Sequence, residues 1–296
     1  VYDRVSRKRF ATGYTFHHGY FDGVEREFRG FGLVEQIDTE TFDSLSAGAG
    51  APGAPGATNL DAASHVPPLL GRTWYHTGAY LGRDRVSNFH AGLTGAGRGE
   101  YYREPAWLDD PVTAAEHLLP DTVLPAGLTL EDEREACRAL KGSMLRQEVY
   151  ALDGAGSADH PFGHPYTVAE RNFGLRVLQP RGANLHAVCA VHEHETLSLH
   201  YERDPDDPRT THELALEADE FGNVLKSATV GYGRRRPDPD LPEPERTGQT
   251  RTLITYTENS VTNAVEAADD HRTPLPGQTL TFELTGYRPT GPAGRF

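Results

Sequence analysis

Tyr14, Phe16, His18 and Tyr20 alternate with Gly13, Thr15, His17 and Gly19. A period of two sends successive side chains to opposite faces, the signature of a strand and not of an amphipathic helix. Asp22-Gly23 follows at once, a dipeptide suited to a hairpin turn. The return strand falls near 24–36, and Gly30 and Gly32 on either side of Phe31 predict a bulge. The same grammar continues down the chain. Strands are expected at 73–81, 145–152, 165–170, 174–178, 184–191, 195–202, 212–218, 223–233, 250–257 and 278–286. Glycine, proline or aspartate-rich turns separate most of them. The expected fold class is mainly β, built of antiparallel strands and hairpins with one or two short helices.

The helix signal is concentrated in LTLEDEREACRALKG. Thr129 is a good N-cap, and Glu131, Asp132 and Glu133 favour the positive end of the helix. Cys137, Leu140 and Met144 are spaced for one apolar stripe, and Gly142 is a natural stop, so a helix is expected near 130–141. A shorter helical turn is expected at 113–119. The low-complexity run AGAGAPGAPGAT offers almost no side chains to bury and reads as a flexible, dispensable linker. Three segments follow: a hairpin region over 1–46, a linker over 47–66 and a β-rich region over 67–296. RRRPDPDLPEPERTG, 234–248, reads as an exposed loop.

Asp and Glu number 43 against 29 Lys and Arg, a formal charge of −14. That balance disfavours nucleic acid or an anionic membrane as partner and favours solubility. No apolar run approaches the length of a membrane span, so no direct membrane insertion is expected. VYDRVSRKRF lacks the pattern of a signal peptide. Val1 and Phe296 read as cuts through a longer polypeptide. Cys137 and Cys189 form neither a disulfide framework nor a metal motif and read as small core residues.

Chemical constellations were weighed against structural readings. His192 and His194 are two apart in VHEHETLSLH, not the four apart on a helix of a zinc protease. On a strand they share a face, and His200 shares that parity but lies too far along. They read as structural histidines, with a metal-dependent hydrolase as the alternative. His17 and His18 should face opposite sides of their strand, with His18 packed beside Tyr14, Phe16 and Tyr20. Glu25, Glu27, Arg26 and Arg29 read as ion pairs of a hairpin wall, with Phe28 and Phe31 buried. Ser143 follows the helix stop with no base signalled nearby. GYGRRR, 231–236, reads as an exposed turn, and ERDPDDPRT, 202–210, as a solvated hairpin loop without calcium spacing. Trp74, Tyr75, Tyr80 and Trp107 offer an alternative carbohydrate-stacking platform. No nucleophile elbow or phosphate loop is present. The expectation is no enzyme, no catalytic, cofactor-binding or metal residue, and no cofactor.

Long composite stretches carry a family resemblance. They are YTFHHGYFDGVEREFRGFGLVEQIDTETF, RTWYHTGAYL, LTLEDEREACRALKGSMLRQEVYALDG, PYTVAERNFGLRVLQP, HYERDPDDPRTTHELALEADEFGNVLKSATVGYGRR and TYTENSVTNAVEAADDHRTPLPGQTLTFELTG. Together they resemble the middle region of the B component of insecticidal ABC (Tc) toxin complexes and their SpvB-like relatives. LEADEFGNVLKSATVGYG also has the strand–turn–strand form of an Rhs/YD repeat, with Asp219, Gly222 and Asn223 suited to its turn. The resemblance implies the wall of a hollow Rhs/YD-repeat-like spiral β-shell that encloses a cytotoxic C-terminal segment. It implies as partners a C component carrying that segment and a pore-forming A component. The setting implied is extracellular, as part of a secreted complex. Nothing in the chain matches the aspartyl autoprotease motif that the family places in the C component.

Overall fold

The computed structural model describes Val5 and residues 11–38, 67–93 and 98–296; the 47–66 segment lies outside them. Strands β1 (Gly13–Asp22) and β2 (Glu27–Ile37) form the opening hairpin, and β3 (Leu69–Tyr75) pairs with β2. A long connection then leaves the sheet. It carries a 3-10 turn at Pro105–Trp107 and helices α1 (Pro111–His117) and α2 (Leu130–Ala139) before β4 (Met144–Ala151) returns beside β3. Strands β5 (Thr167–Gln179), β6 (Val188–His200), β7 (Arg209–Ala218) and β8 (Val224–Gly231) follow as a meander. Helix α3 (Glu243–Gln249) precedes β9 (Leu253–Val261), and a ribbon of β10 (Val265–Ala267) and β11 (Asp270–Arg272) precedes β12 (Pro276–Leu284).

Ten strands form one antiparallel sheet in the order β1-β2-β3-β4-β5-β6-β7-β8-β9-β12. Its register places one cross-strand row on a single face: His17, Leu33, Trp74, Arg146, Glu170, Leu197, His212, Val230, Ile254 and Leu284. The eight inner members are buried; His17 and Leu284, on the edge strands, are not. The 76–143 connection covers this face over the middle of the sheet. Val86, Leu118, Leu124, Ala136, Cys137 and Leu140 from the connection meet Leu33, Trp74, Leu145 and Phe173 from the strands in the main core. The opposite face carries Phe16, Val34, Thr73, Gln147, Ala169, Ser198, Thr211, Gly231 and Leu253, a mostly short or polar row. Of these only Thr73 is fully buried.

The two helices of the connection form where the caps are. Thr129 Oγ1 accepts from the Asp132 N–H at 3.1 Å, and its own hydroxyl donates to Asp132 Oδ2 at 2.8 Å. Asp110 caps α1 by accepting from Val112 and Thr113, with Pro111 at the first position. Gly142 ends the α2 segment at φ +84°, and its N–H donates to the His76 carbonyl. Met144 therefore does not extend the helical stripe; it opens β4 and is half-buried.

Four expectations are corrected. Segments 165–170 and 174–178 are one strand, β5, because Gly174 is not a turn. A Cβ there would stand 2.3 Å from His192 Cε1, so the glycine seats the imidazole of the neighbouring strand. Segments 184–191 and 195–202 merge likewise into β6, with a bulge beside Asn172–Phe173 that absorbs the extra residue. Residues 76–81 leave the sheet. The 234–248 stretch contains α3, whose first turn holds Glu243 and Glu245 and which is pinned by an Arg246–Glu243 pair.

Candidate functional site

The densest group of functional side chains is a buried polar seam between the connection and the sheet. On β4, Arg146 and Glu148 share the core face because they are two apart. Arg146 Nε donates to Glu148 Oε1 and its Nη1 to Glu170 Oε2, both at 2.7 Å. Glu148 also accepts from the Tyr102 N–H and the Tyr150 hydroxyl, and Glu170 from the Leu119 N–H. A second knot lies alongside. Glu104 accepts from the Tyr201 hydroxyl at 2.9 Å and from both Arg235 Nη atoms at 2.8 and 3.0 Å. Burial pushes the Glu170 carboxyl above its ordinary value, and Arg146 opposes the shift. Every charge in the seam is saturated by a partner, so it works as a clamp that fixes the connection to the sheet.

Sequence reasoning missed this clamp. Its one local signal is the pair of charges at core parity in MLRQEVYA; the partners Glu170, Tyr102 and Leu119 are remote in sequence. It also places GYGRRR and ERDPDDPRT differently from expectation. Asp207 is buried and accepts from Arg234 Nε at 2.8 Å and the Arg235 N–H at 2.7 Å. Arg236 is the most exposed of the three arginines and pairs with Asp206, while Arg235 is also partly exposed. The basic run ends a strand against the connection, where burial needs its charge matched.

The opening hairpin is inverted relative to expectation. Phe28 is 52% exposed and Phe31 37%, while Asp22 and Arg29 are buried and paired at 3.0 Å. The Asp22 carboxylate also accepts from the Val24 and Glu25 N–H groups of the turn, and Arg29 donates to the Gly78 carbonyl. The connection supplies that carbonyl, so the charged face, not the aromatic one, meets the protein interior. Glu27 pairs with Arg29 and with Lys141 of the α2 segment. The bulge is present, with Gly30 at φ +99°.

His18 also departs from the strand pattern. Its φ is +55°, a left-handed conformation that costs a non-glycine residue energy. It is half-exposed, away from the packed aromatic position expected for it, and its ring turns to Glu100 at 2.8 Å and to His90, ring centroids 4.9 Å apart. His17 goes instead to Glu35 at 3.2 Å. The two imidazoles do serve different carboxylates, yet they stay 6.3 Å apart because His18 does not point as a regular strand would direct it.

His192 and His194 line an open groove with Asp121, Asn172 and Glu195. Both acids there are committed. Asp121 accepts from the Val86 and Ser87 N–H groups, and Glu195 pairs with His212 at 2.9 Å and accepts from Asn172. Burial lowers the His192 pKa. Among the described residues no third ligand closes on these two histidines, and His200 stays exposed at the far end of β6. The aromatic platform is absent: Trp74 is 0% exposed against Tyr101, and Trp107 is buried in a stack with His117. Cys137 is buried, which pushes its thiol up to about 12; Cys189 is only half-buried. The Ser143 carbonyl accepts from the His76 N–H, and Ser143 forms part of the turn into β4.

Residues 135–273 match a family model described as the insecticide toxin TcdB middle/C-terminal region, and residues 1–47 match the middle/N-terminal region. No curated protein sequence matches the chain. Solved structures do. One is the crystal structure of TcdB2-TccC3, 27% identical over 95% of this chain with a TM-score of 0.67. Another is TcdB2-TccC3 without the hypervariable C-terminal region, 27% identical over 95% with a TM-score of 0.66. A third is the Photorhabdus luminescens Tc holotoxin pore, 26% identical over 97% with a TM-score of 0.66. This chain spans 13%, 12% and 12% of those chains respectively.

Proposed function

Because the chain belongs to the middle region of the insecticide toxin TcdB component, we propose that it is one wall segment of a hollow β-shell. That shell encapsulates a cytotoxic C-terminal segment for delivery through a pore-forming A component. The C component that carries the segment completes the shell, and the assembly works outside the producing cell. The chain contributes no catalysis. The observation that carries this reading is the ten-stranded sheet, which among the described residues has β1 and β12 as its outermost strands. Its reverse face is a row of short or polar side chains, suited to a surface that bounds a space. An unpaired edge is a template for another strand, and in a wall that strand comes from adjoining chain. The committed acids of the His192–His194 groove favour this over a hydrolase. The division into 1–46, 47–66 and 67–296 is proposed as a division of sequence, since β2 and β3 pair across it.

The test is co-expression of the parent protein with its C component, followed by imaging of the particle. A hollow particle is expected. Thr281→Pro removes a backbone donor from the outermost strand β12 and should block assembly. A solid particle, or a hollow one assembled normally by the variant, overturns the reading.

A further inference from the structure

Three residues outside the clamp converge where the hairpin meets the connection: His18 from β1, and His90 and Glu100 from the two ends of one loop. The Glu100 N–H donates to the His90 carbonyl at 2.9 Å, so the loop is closed at its base and holds both side chains on one side. His18 Nε2 is 2.8 Å from Glu100 Oε1, and His90 Nδ1 is 3.8 Å from Glu100 Oε2. One potential donor atom from each of the three residues lies within 4.8 Å of the other two. Ligand atoms about 2.0–2.2 Å from a tetrahedral zinc ion stand roughly 3.3–3.6 Å apart, so small side-chain motions close the set.

Two further observations mark the place. The His90 side chain is only 10% exposed, yet its Nε2 has no hydrogen-bond partner and Nδ1 is beyond hydrogen-bond distance of Glu100. A buried ring nitrogen without a hydrogen-bond partner is costly unless something else binds it. The backbone is also arranged to gather the rings. His18 holds its left-handed φ, and Gly32 opposite leaves the room: a Cβ there would stand 3.1 Å from His18 Cβ and 3.2 Å from His90 Nε2. The Trp74 Nε1–H donates to Glu100 Oε2 at 2.9 Å and fixes it, as outer hydrogen bonds orient metal ligands. Arg72, whose Nη1 donates to the Glu100 backbone carbonyl at 3.4 Å, is paired with Glu35 at 2.9 Å.

We propose that His18, His90 and Glu100 form a binding site for a zinc-class divalent cation, with solvent completing the coordination. Two imidazoles and one carboxylate are a ligand set for zinc. The ion would pin β1 to the connection. The other convergent group, Glu25, Glu135 and His186, has one imidazole, and its Glu135 is already engaged by the Ala187 N–H and Arg138.

The test is titration of the full 296-residue chain, stripped with chelator, with zinc by calorimetry and with cobalt by visible absorption. One ion per chain is expected, with cobalt bands of a four- or five-coordinate nitrogen–oxygen site. His18→Asn suits the left-handed backbone, and Glu100→Gln keeps an acceptor for Trp74, so both variants should fold. Each should weaken binding at least about 100-fold. His192→Ala with His194→Ala should bind as the parent does. No saturable binding, unchanged affinity in the two ligand variants, or loss of binding in the His192/His194 variant overturns the proposal.

Discussion

Strands β3 to β5 and strands β9 and β12 belong to the same sheet and obey the same pairing rules, but only the first group has a cover. Over the middle, the connection brings Val86, Leu118, Leu124 and Leu140 down onto Trp74, Leu145 and Phe173. At the far end, Ile254 is the one fully buried residue of β9, and β12 has none. Leu253, Leu280 and Phe282 stand exposed there, as Phe16, Phe21 and Phe28 do on the opening hairpin. Hydrogen bonding is therefore enough to continue a sheet, while burial decides which part of it is stable alone. The two ends carry exposed apolar side chains of the kind that marks an interaction surface.

The largest effect is expected at Arg146. Arg146→Ala leaves Glu148 and Glu170 buried without their cation and should cost about 3–5 kcal/mol, read by urea unfolding. A loss under about 1 kcal/mol would show that the seam is not what holds the middle together.

The next effect is that of pH. His76 is buried, with Nε2 donating to the Val86 carbonyl and Nδ1 accepting from the Gly78 N–H. Burial lowers its pKa from 6.5 to about 4. The folded state favours the neutral ring, so this contribution is full above pH 6.5 and is lost as pH falls from 6.5 through 4. It reaches about 3 kcal/mol. His76→Gln keeps a donor and an acceptor and does not titrate. The difference in its urea midpoint between pH 7 and pH 4.5 should be smaller than that of the parent chain.

Removing the α2 cap by Thr129→Ala should cost about 1 kcal/mol, since the Asp132 N–H then loses its acceptor. A melting temperature that does not move would detach α2 from the stability of the middle.

At the ends, Phe282→Ala and Phe28→Ala should change the stability of this chain by no more than about 0.5–1 kcal/mol, because both side chains are half in water already. If the proposed wall role holds, the same changes should impair assembly of the parent protein with a C component. Losses of 3 kcal/mol in the isolated chain would mean that the ends carry a core of their own.

Local chemistry made much of this legible from sequence. The alternation in 13–22, the Asp22-Gly23 turn, the Gly30 bulge, the Thr129 cap and the Gly142 stop are each set by residues a few positions apart, and each is found where it was expected. The Asp219–Asn223 turn closes as its residues suggest, with Asp219 accepting from the Phe221 and Asn223 N–H groups. What failed were inferences from polarity to exposure. Arg29, Asp22, Glu148 and Asp207 are buried, and Phe28 is not, because burial depends on what the 76–143 connection lays over each face. Gly174 looks like a break and is a seat for His192. His18 looks like a strand residue and turns out of register toward a loop 72 to 82 positions away in sequence. Period and propensity are properties of neighbours along the chain, so the sequence by itself determined that this protein is a run of antiparallel strands. Which charges are desolvated, which rings meet and which faces stay bare are properties of neighbours in space, and only the tertiary structure decided them.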